Sequence, residues 1–269
     1  MTLPPPPPSP QVPKPRRYRT FRSITALILR EMGTRYGRSP GGYLWAILEP
    51  VAGIALLSIV FGFVLRSPPL GTNFPFFYAS GIMPFFFFNG ISGQIATSLQ
   101  YSKALLSYPV MTFMDAITAR FLLNGLTQLL VMLIIMAGII YGFELNPLID
   151  WVVLFRATAM LCAITIAVGT MNCFLFAMFP VWQNIWTVVT RPLFIISGIF
   201  FVPENLPEQV RFYLMYNPLA HVLSEYRNGF YATYDAVHVS PLYVFTLSMI
   251  VGGFGVLLLL RNYKDIMLK

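Results

Sequence analysis

The sequence has few charged side chains for its length. Of 269 residues, 10% are charged, 57% are hydrophobic and 16% are aromatic, and the mean hydropathy is +0.68. A water-soluble domain has about a quarter of its residues charged, because polar groups must cover its surface. The low charge excludes an ordinary soluble domain and indicates that much of the surface faces lipid. At about 20 residues per crossing, the length allows about six spans and no separate soluble catalytic domain.

Residue types that carry out chemistry in enzymes are scarce as well. The chain has two cysteines and two histidines, with no CxxC pair and no Cys/His cluster, so neither a metal site nor a disulfide framework is predicted. Cys162 and Cys173 fall in one predicted helix, about 16 Å apart, which is too far for a disulfide. The ten acidic residues are scattered, and no HExxH motif or glycine-rich phosphate loop occurs. These absences disfavour a membrane enzyme and indicate that the chain does not hydrolyse ATP by itself.

The net charge of +8 is concentrated near the N-terminus. A basic chain can bind nucleic acid, but eight of the 18 basic residues precede the first long apolar run, which is typical of a membrane-topology signal. With both termini in the cytoplasm, twelve basic residues lie on that side and three on the other. The sequence therefore predicts cytoplasmic N- and C-termini and no nucleic-acid partner.

Three arginines, Arg120, Arg156 and Arg191, fall inside predicted spans near their ends. An ionisable side chain in lipid costs several kcal/mol, so it normally marks a pathway or a partner. Near the end of a span, a long arginine side chain can also extend to the headgroups. Both interpretations stay open on the sequence alone.

The pattern along the chain divides it into a tail and one membrane domain. Residues 1–20 are predicted to be a disordered cytoplasmic tail, with eight prolines in the first 15 positions, and residues 21–269 form the transmembrane domain. Residues 21–36 have an amphipathic pattern that predicts a helix lying in the membrane interface. Six apolar stretches then predict spans at about 43–65, 74–97, 116–143, 151–178, 184–202 and 241–260.

The stretch between the last two predicted spans contains two short helical patterns. The first begins at Pro207 and runs to Tyr216, and Asn217 followed by Pro218 then predicts a new N-cap with proline at the first helical position. Each piece is too short to cross about 30 Å of hydrocarbon. The pattern favours two re-entrant half-helices in the outer leaflet, and a peripheral amphipathic hairpin is the alternative.

Two segments of the sequence resemble a known family. They read ALLSYPVMTFMDAITARFLL, after the second predicted span, and SGIFFVPENLPEQVRFYLMYNPLAHVLSEYRNGFY, before the last. Both are similar to the inner-membrane permease of ABC-2 type transporters, in the branch that exports bacterial capsule polysaccharide. The resemblance extends over residues from about 20 to 265. It implies an all-α membrane protein with six transmembrane helices, an N-terminal amphipathic interface helix and short re-entrant helices before the last span.

The resemblance also implies a function and partners. The chain would be the permease of an ATP-driven exporter in the bacterial inner membrane, moving lipid-linked capsular polysaccharide. It would form a homodimer with two copies of a cytoplasmic ATP-binding subunit, which bind ATP and magnesium, so no cofactor is expected in this chain. Periplasmic and outer-membrane polysaccharide export proteins would complete the assembly. Another cargo, such as O-antigen, teichoic acid or a small drug, is the alternative.

A cytoplasmic coupling helix is a feature of this family, and residues 100–112 are the matching segment. A plain connecting loop is the alternative interpretation. The segment is only weakly charged, so we expect its contact with the ATP-binding subunit to rest on shape and apolar packing. The candidate coupling residues are Lys103, Leu105, Leu106, Tyr108 and Pro109.

A conduit for a sugar polymer needs flat apolar surfaces and few fixed hydrogen bonds, which aromatic side chains provide. An aromatic belt at the membrane interface is the alternative explanation for the same residues. An acidic cargo would also favour arginines at the cytoplasmic mouth. The candidate path residues are Arg30, Arg35, Arg38, Arg191, Phe85, Phe86, Trp182 and Trp186, and the candidates in the re-entrant segment are Asn217, Pro218, His221, Glu225 and Arg227.

Overall fold

The computed structural model describes residues 19–35, 42–106 and 112–268. Within those ranges the chain consists of helices joined by short connections and contains no β-strand, which confirms the predicted all-α class. A short 3-10 turn is formed by Pro203–Asn205. The α-helices are α1 (Arg19–Arg35), α2 (Gly42–Val64), α3 (Phe74–Ala96), α4 (Ser98–Leu106), α5 (Phe113–Gly142), α6 (Trp151–Met178), α7 (Pro180–Ile196), α8 (Glu208–Leu214), α9 (Pro218–Phe230) and α10 (Pro241–Leu268).

Five stretches of the described chain are long and apolar enough to cross a membrane. Four of them lie in α2, α5, α6 and α10, and the fifth runs from α3 into α4. The 17 residues of α7 span about 25 Å, which is slightly less than the hydrocarbon core. The predicted boundary between the tail and the interface helix is also displaced, because Arg19 and Thr20 already belong to α1. Residue 36, the predicted end of that helix, lies outside the described ranges.

The predicted fifth span, at 184–202, is displaced in the structure. The helix begins four residues earlier, at Pro180, directly after the end of α6. Proline is favoured in the first turn of a helix, which explains this start. It ends at Ile196, and Gly198 adopts a φ of 85° just beyond it. Glycine tolerates this left-handed conformation, which commonly stops a helix. The segment 197–201 is therefore an irregular turn rather than part of the span.

The core of the bundle forms around α3, the aromatic-rich helix. Phe77, Tyr78 and Phe87 have no exposed surface, and α3 packs against α2, α5, α6 and α9. The helix starts at the N-cap Asn73, whose side chain accepts a hydrogen bond from Phe76 N at 2.9 Å. Most of the aromatic residues of this helix thus face protein rather than lipid.

The interface helix α1 packs against α5 along one face. Ser23 and Leu27 are buried on that face, whereas Leu29 and Met32 are exposed. The spacing of four residues between Ser23 and Leu27 places both on one side of the helix. Leu29 and Met32 are therefore available to contact lipid, which the predicted interface helix requires.

Of the two short helices before α10, only α9 is inserted into the bundle. The side chain of Asn217 accepts a hydrogen bond from Leu219 N at 3.0 Å, which confirms the predicted cap. Residues 219–227 are all buried, and α9 packs against α3, α6 and α10. In contrast, most of α8 is exposed. Within it, Leu214 is buried and Arg211 is half-buried. A hairpin lying wholly on the surface is therefore excluded for α9.

Close packing of α6 against α10 depends on glycine. A Cβ atom added to Gly255 would lie 2.8 Å from Met171 N and 3.0 Å from Met171 Cα, whereas one added to Gly253 would have no atom within 4 Å. Because backbone atoms cannot move aside as a flexible side chain does, Gly255→Leu must separate the two helices.

We expect Gly255→Leu to lower the stability of the folded chain by about 2 kcal/mol, the usual cost of overpacking. Gly253→Leu, two positions away on the same helix, is the matched control. Thermal unfolding of both purified variants in one detergent, followed by size-exclusion chromatography, measures the difference. Equal midpoints for the two variants would contradict the packing described here.

Candidate functional site

A buried arginine connects four helices at one end of the bundle. Arg120 of α5 is 4% exposed. Its Nη1 donates to Gln94 O at 2.8 Å and to Thr97 Oγ1 at 3.0 Å, at the end of α3. The guanidinium group lies 4.5 Å from the ring centre of Tyr101 on α4, and Nε lies 3.5 Å from Glu31 Oε1 on α1. We call this set of contacts the Arg120 junction.

The Arg120 junction holds a charge that is nearly removed from water. A buried cation is costly unless it is paired and hydrogen-bonded, and here it has both a carboxylate and neutral acceptors. Thr97 is the residue at which α3 ends, and its hydroxyl also bonds back to Gly93 O at 3.1 Å. The interpretation that the side chain extends to the lipid headgroups, which the sequence left open, is therefore wrong for Arg120.

The junction lies beside the predicted coupling segment, whose bounds differ from the prediction. Helix α4 begins at Ser98 and ends at Leu106, and residues 107–111 lie outside the described part of the chain. Thr112 belongs to α5, because its hydroxyl accepts from Asp115 N at 3.2 Å while the Asp115 carboxylate accepts from Thr112 N at 3.0 Å. This capping box marks the start of α5, so Thr112 is not part of the predicted coupling helix.

The candidate coupling residues are only partly visible. Lys103 is exposed on α4. Leu105 and Leu106 belong to the last turn of α4. Tyr108 and Pro109 lie in 107–111, outside the residues that the structure describes. The exposed surface of α4 is thus compatible with a docking role.

A second buried arginine lies at the opposite end of α3. Arg227 of α9 has no exposed surface. Its Nη1 donates to Gly198 O at 2.6 Å and Phe201 O at 2.8 Å, and its Nη2 donates to Ile199 O at 2.9 Å. These carbonyls belong to the irregular turn that follows α7. We call this arrangement the Arg227 lock.

The Arg227 lock is rigid for geometric reasons. The planar guanidinium fork bonds three carbonyls at once, and it lies 4.3 Å from the ring centre of Phe77 on α3. A Cβ atom on Gly81 would lie 3.1 Å from Arg227 Nη2, so glycine gives the arginine its space. Burial lowers the pKa of Arg227 to about 10, so the group stays protonated near neutral pH.

The other candidates in the predicted re-entrant segment hold α9 to its neighbours. Asn217 Nδ2 donates to Ser197 Oγ at 3.1 Å, beside the end of α7. His221 Nδ1 accepts from Ser240 N at 3.1 Å, which leaves Nε2 to donate to Met215 O at 2.8 Å. Burial lowers the pKa of His221, which favours this neutral form.

A salt bridge joins α9 to α6. The Glu225 carboxylate is buried and pairs with the half-exposed guanidinium of Arg156. The two helices are also joined by a hydrogen bond of 2.7 Å between the hydroxyls of Thr158 and Tyr226. Pro218 fills the first helical position, so the five predicted residues all support α9. They form a structural anchor, and they do not form a cluster open to substrate.

The candidate path residues are spread over three helices. Arg191 is exposed and Trp182 and Trp186 are half-buried on α7, a helix that has no buried residue. Trp182 Nε1 donates to Asn172 Oδ1 at 3.0 Å, which fixes its ring. Arg30 is exposed on α1, whereas Arg35 ends that helix with its side chain undescribed, and Arg38 lies outside the described residues.

The aromatic run in α3 is less accessible than α7. Phe85 is 3% exposed and packs edge-on against Phe194 of α7, with ring centres 5.0 Å apart. Phe86 is half-buried. Phe85 therefore supports α7 from the core and does not face a surface that a sugar could reach.

Sequence reasoning missed the partners of both buried arginines. Glu31 is the only acidic residue among the basic residues before the first span, and that isolation was a usable signal. The carbonyls of residues 198, 199 and 201 leave no trace in a side-chain pattern, so the Arg227 lock could not be found from the sequence.

Comparison with known proteins gives a consistent result. The family described as ABC-2 type transporter matches residues 22–231. The chain is 31% identical over 248 residues to the polysialic acid transport protein KpsM of Escherichia coli, covering 91% of this chain and 95% of that protein.

Two further relatives are capsule polysaccharide export inner-membrane proteins. CtrC of Neisseria meningitidis is 23% identical over 245 residues, covering 91% of this chain and 92% of CtrC. BexB of Haemophilus influenzae is 25% identical over 247 residues, covering 90% and 91%. With most of its length matched and its apolar helices in place, this chain belongs to the ABC-2 type transporter family.

Proposed function

We propose that this chain is the permease subunit of an ATP-driven exporter that moves lipid-linked capsular polysaccharide across the bacterial inner membrane. The observation that carries the proposal is the near full-length similarity to KpsM, whose name assigns it polysialic acid transport. CtrC and BexB, named for capsule polysaccharide export, support the same cargo class. The helical bundle with its spanning helices supports a permease role.

The proposal includes partners. The active unit is a homodimer of this chain with two copies of a cytoplasmic ATP-binding subunit, which bind ATP and magnesium. This chain itself needs no cofactor, and the lack of a phosphate-binding loop in its sequence supports that division of labour. Periplasmic and outer-membrane export proteins receive the polymer, and both termini of the permease are cytoplasmic.

We assign the step that couples ATP hydrolysis to transport to the Arg120 junction. The ATP-binding subunit docks on α4, where Lys103 is exposed. Tyr101 of α4 packs on Arg120, which also contacts α1, the end of α3 and its own helix α5. A displacement of α4 therefore reaches α1 and α3 through one buried group, because close-packed interiors transmit strain.

The conduit is assigned to α7. This helix has no buried residue in the protomer, and it presents Arg191, Trp182 and Trp186. Aromatic faces suit sugar rings and an exposed guanidinium suits an anionic polymer. The end of α7 is held by the Arg227 lock, so movement of α3 or α9 at this end would move the exit of the conduit.

The cargo class is tested in a capsule-forming bacterium that carries this gene. Deleting the gene should abolish surface polymer and cause polymer to accumulate inside the cell, because synthesis continues without export. Immunodetection on intact and permeabilised cells measures both pools, and the complemented deletion strain is the control. Normal surface capsule in the deletion strain would contradict the proposal.

Substitution of the Arg120 junction should uncouple the exporter. Arg120→Ala removes every contact of the junction and Glu31→Gln removes its ion pair, and we expect about a tenfold loss of export per ATP hydrolysed in each variant, equivalent to about 1.4 kcal/mol of coupling. Reconstituted exporter in vesicles gives both rates.

Arg66→Ala, an exposed arginine beyond the end of α2, is the matched control. The exchanged pair Glu31→Arg with Arg120→Glu should recover part of the export that either single exchange loses. Coupling equal to that of the Arg66→Ala control in both single variants would show that the junction does not transmit.

The Arg227 lock makes a separate prediction. Arg227→Lys keeps the charge but cannot bond three carbonyls with a planar fork. We expect stability to fall by about 2 kcal/mol, since buried donors and acceptors lose their partners, and export to fall with it. Thermal unfolding of the purified variant measures the loss. Arg211→Lys on α8 is the control, and equal unfolding midpoints would refute the role of the lock.

A further inference from the structure

A long apolar groove runs between α5 and α6 and is closed at its base by α9. It has a volume of about 650 Å³ and extends along α5 from Tyr141 to Leu129. Those twelve helical steps correspond to about 18 Å, slightly more than one leaflet of a 30 Å hydrocarbon core. We call this cavity the α5–α6 groove. Its length matches one lipid acyl chain.

The lining of the α5–α6 groove is unsuited to a sugar. Its polar side chains include Thr158 and Tyr226, whose hydroxyls bond each other at 2.7 Å, and Thr158 also donates to Leu154 O at 2.8 Å. Groups that already satisfy each other offer little to a polymer rich in hydroxyls. The groove is otherwise lined by apolar and aromatic side chains, which favours a hydrocarbon chain.

A second cavity of about 430 Å³ adjoins the groove and shares three of its lining residues. Ile140, Tyr141 and Ile149 line both, and Glu144 and Asn146 line only the second. The connection between α5 and α6 carries two acidic residues and no basic residue. An anionic headgroup would be repelled here, whereas a primary ammonium would be attracted to the Glu144 carboxylate.

We propose that the α5–α6 groove binds a bilayer phospholipid with a primary-amine headgroup, phosphatidylethanolamine. One acyl chain fills the groove, and the ammonium lies beside Glu144. The bound lipid contacts Tyr226 and Phe230 of α9, so it stabilises the same helix that carries the Arg227 lock. This proposal depends on the membrane location of the chain and not on the identity of its cargo.

Photo-crosslinking of the unmodified full chain tests the site. The chain is reconstituted with phosphatidylethanolamine that carries a diazirine in one acyl chain, and labelled peptides are mapped by mass spectrometry. We expect label to concentrate in 129–141 and 151–158. Equal labelling of the exposed face of α10, equal labelling by the matching phosphatidylglycerol probe, or a second copy of the chain crosslinked into the groove would each overturn the proposal.

Paired variants separate the groove from the headgroup cavity. Ala137 lines the groove, whereas Ile134 is exposed on the same helix outside it. Ala137→Trp should remove most of the lipid retained by the purified chain, counted by native mass spectrometry, and Ile134→Trp should not. Equal retention by these two variants would overturn the proposal.

The assignment of the headgroup is tested by neutralising Glu144 and, as a control, a second exposed glutamate. Glu144→Gln should reduce the preference for phosphatidylethanolamine over phosphatidylglycerol about threefold, the scale of an exposed ion pair. Glu208→Gln on the exposed α8 is the control. An unchanged preference in Glu144→Gln would refute the assignment of the amine, even if the groove retains lipid.

Discussion

A guanidinium group that leaves water is costly unless it finds hydrogen-bond acceptors, and two buried arginines find theirs at opposite ends of α3, although Nε of Arg227 has no partner. At one end, Arg120 is held by Glu31, Thr97 and the carbonyl of Gln94. At the other end, Arg227 bonds three carbonyls of the turn after α7 and stacks on Phe77. The core helix therefore connects two charged anchors. Removing either anchor leaves unpaired polar groups in an apolar interior, which costs more than the contacts themselves.

Packing is uneven around this core. Helices α3 and α9 are largely buried, whereas α7 has no buried residue and is held mainly at its ends, by Trp182 on Asn172 and by the Arg227 lock. A helix held in this way can change position without unpacking the core. This contrast explains why the proposed conduit and the proposed transmission route fall on different helices of one bundle, and why lipid bound beside α9 would affect the exit.

The sequence predicts the helices better than it predicts the contacts between them. Long apolar runs locate the spans, and Asn217 followed by Pro218 locates the start of α9, because those signals are local. The fifth predicted span was displaced because Pro180 and Gly198 set the bounds of α7. Pairing of Glu31 with Arg120 depends on how α1 docks on α5, far along the chain. The burial of Phe85 was also hidden, since a helix rich in apolar residues has no marked inner face.

The central claim is that α3 transmits movement from α4 to the turn after α7. The most direct measurement places one spin label at Tyr213 on α8 and another at Leu242 on α10, both exposed and both distant from α4 in sequence, after Cys162 and Cys173 have been replaced by alanine. Distances between the labels in the assembled exporter are then compared with and without ATP. The account predicts a nucleotide-dependent change that Arg120→Ala abolishes. A change of the same size in the Arg120→Ala exporter would contradict it.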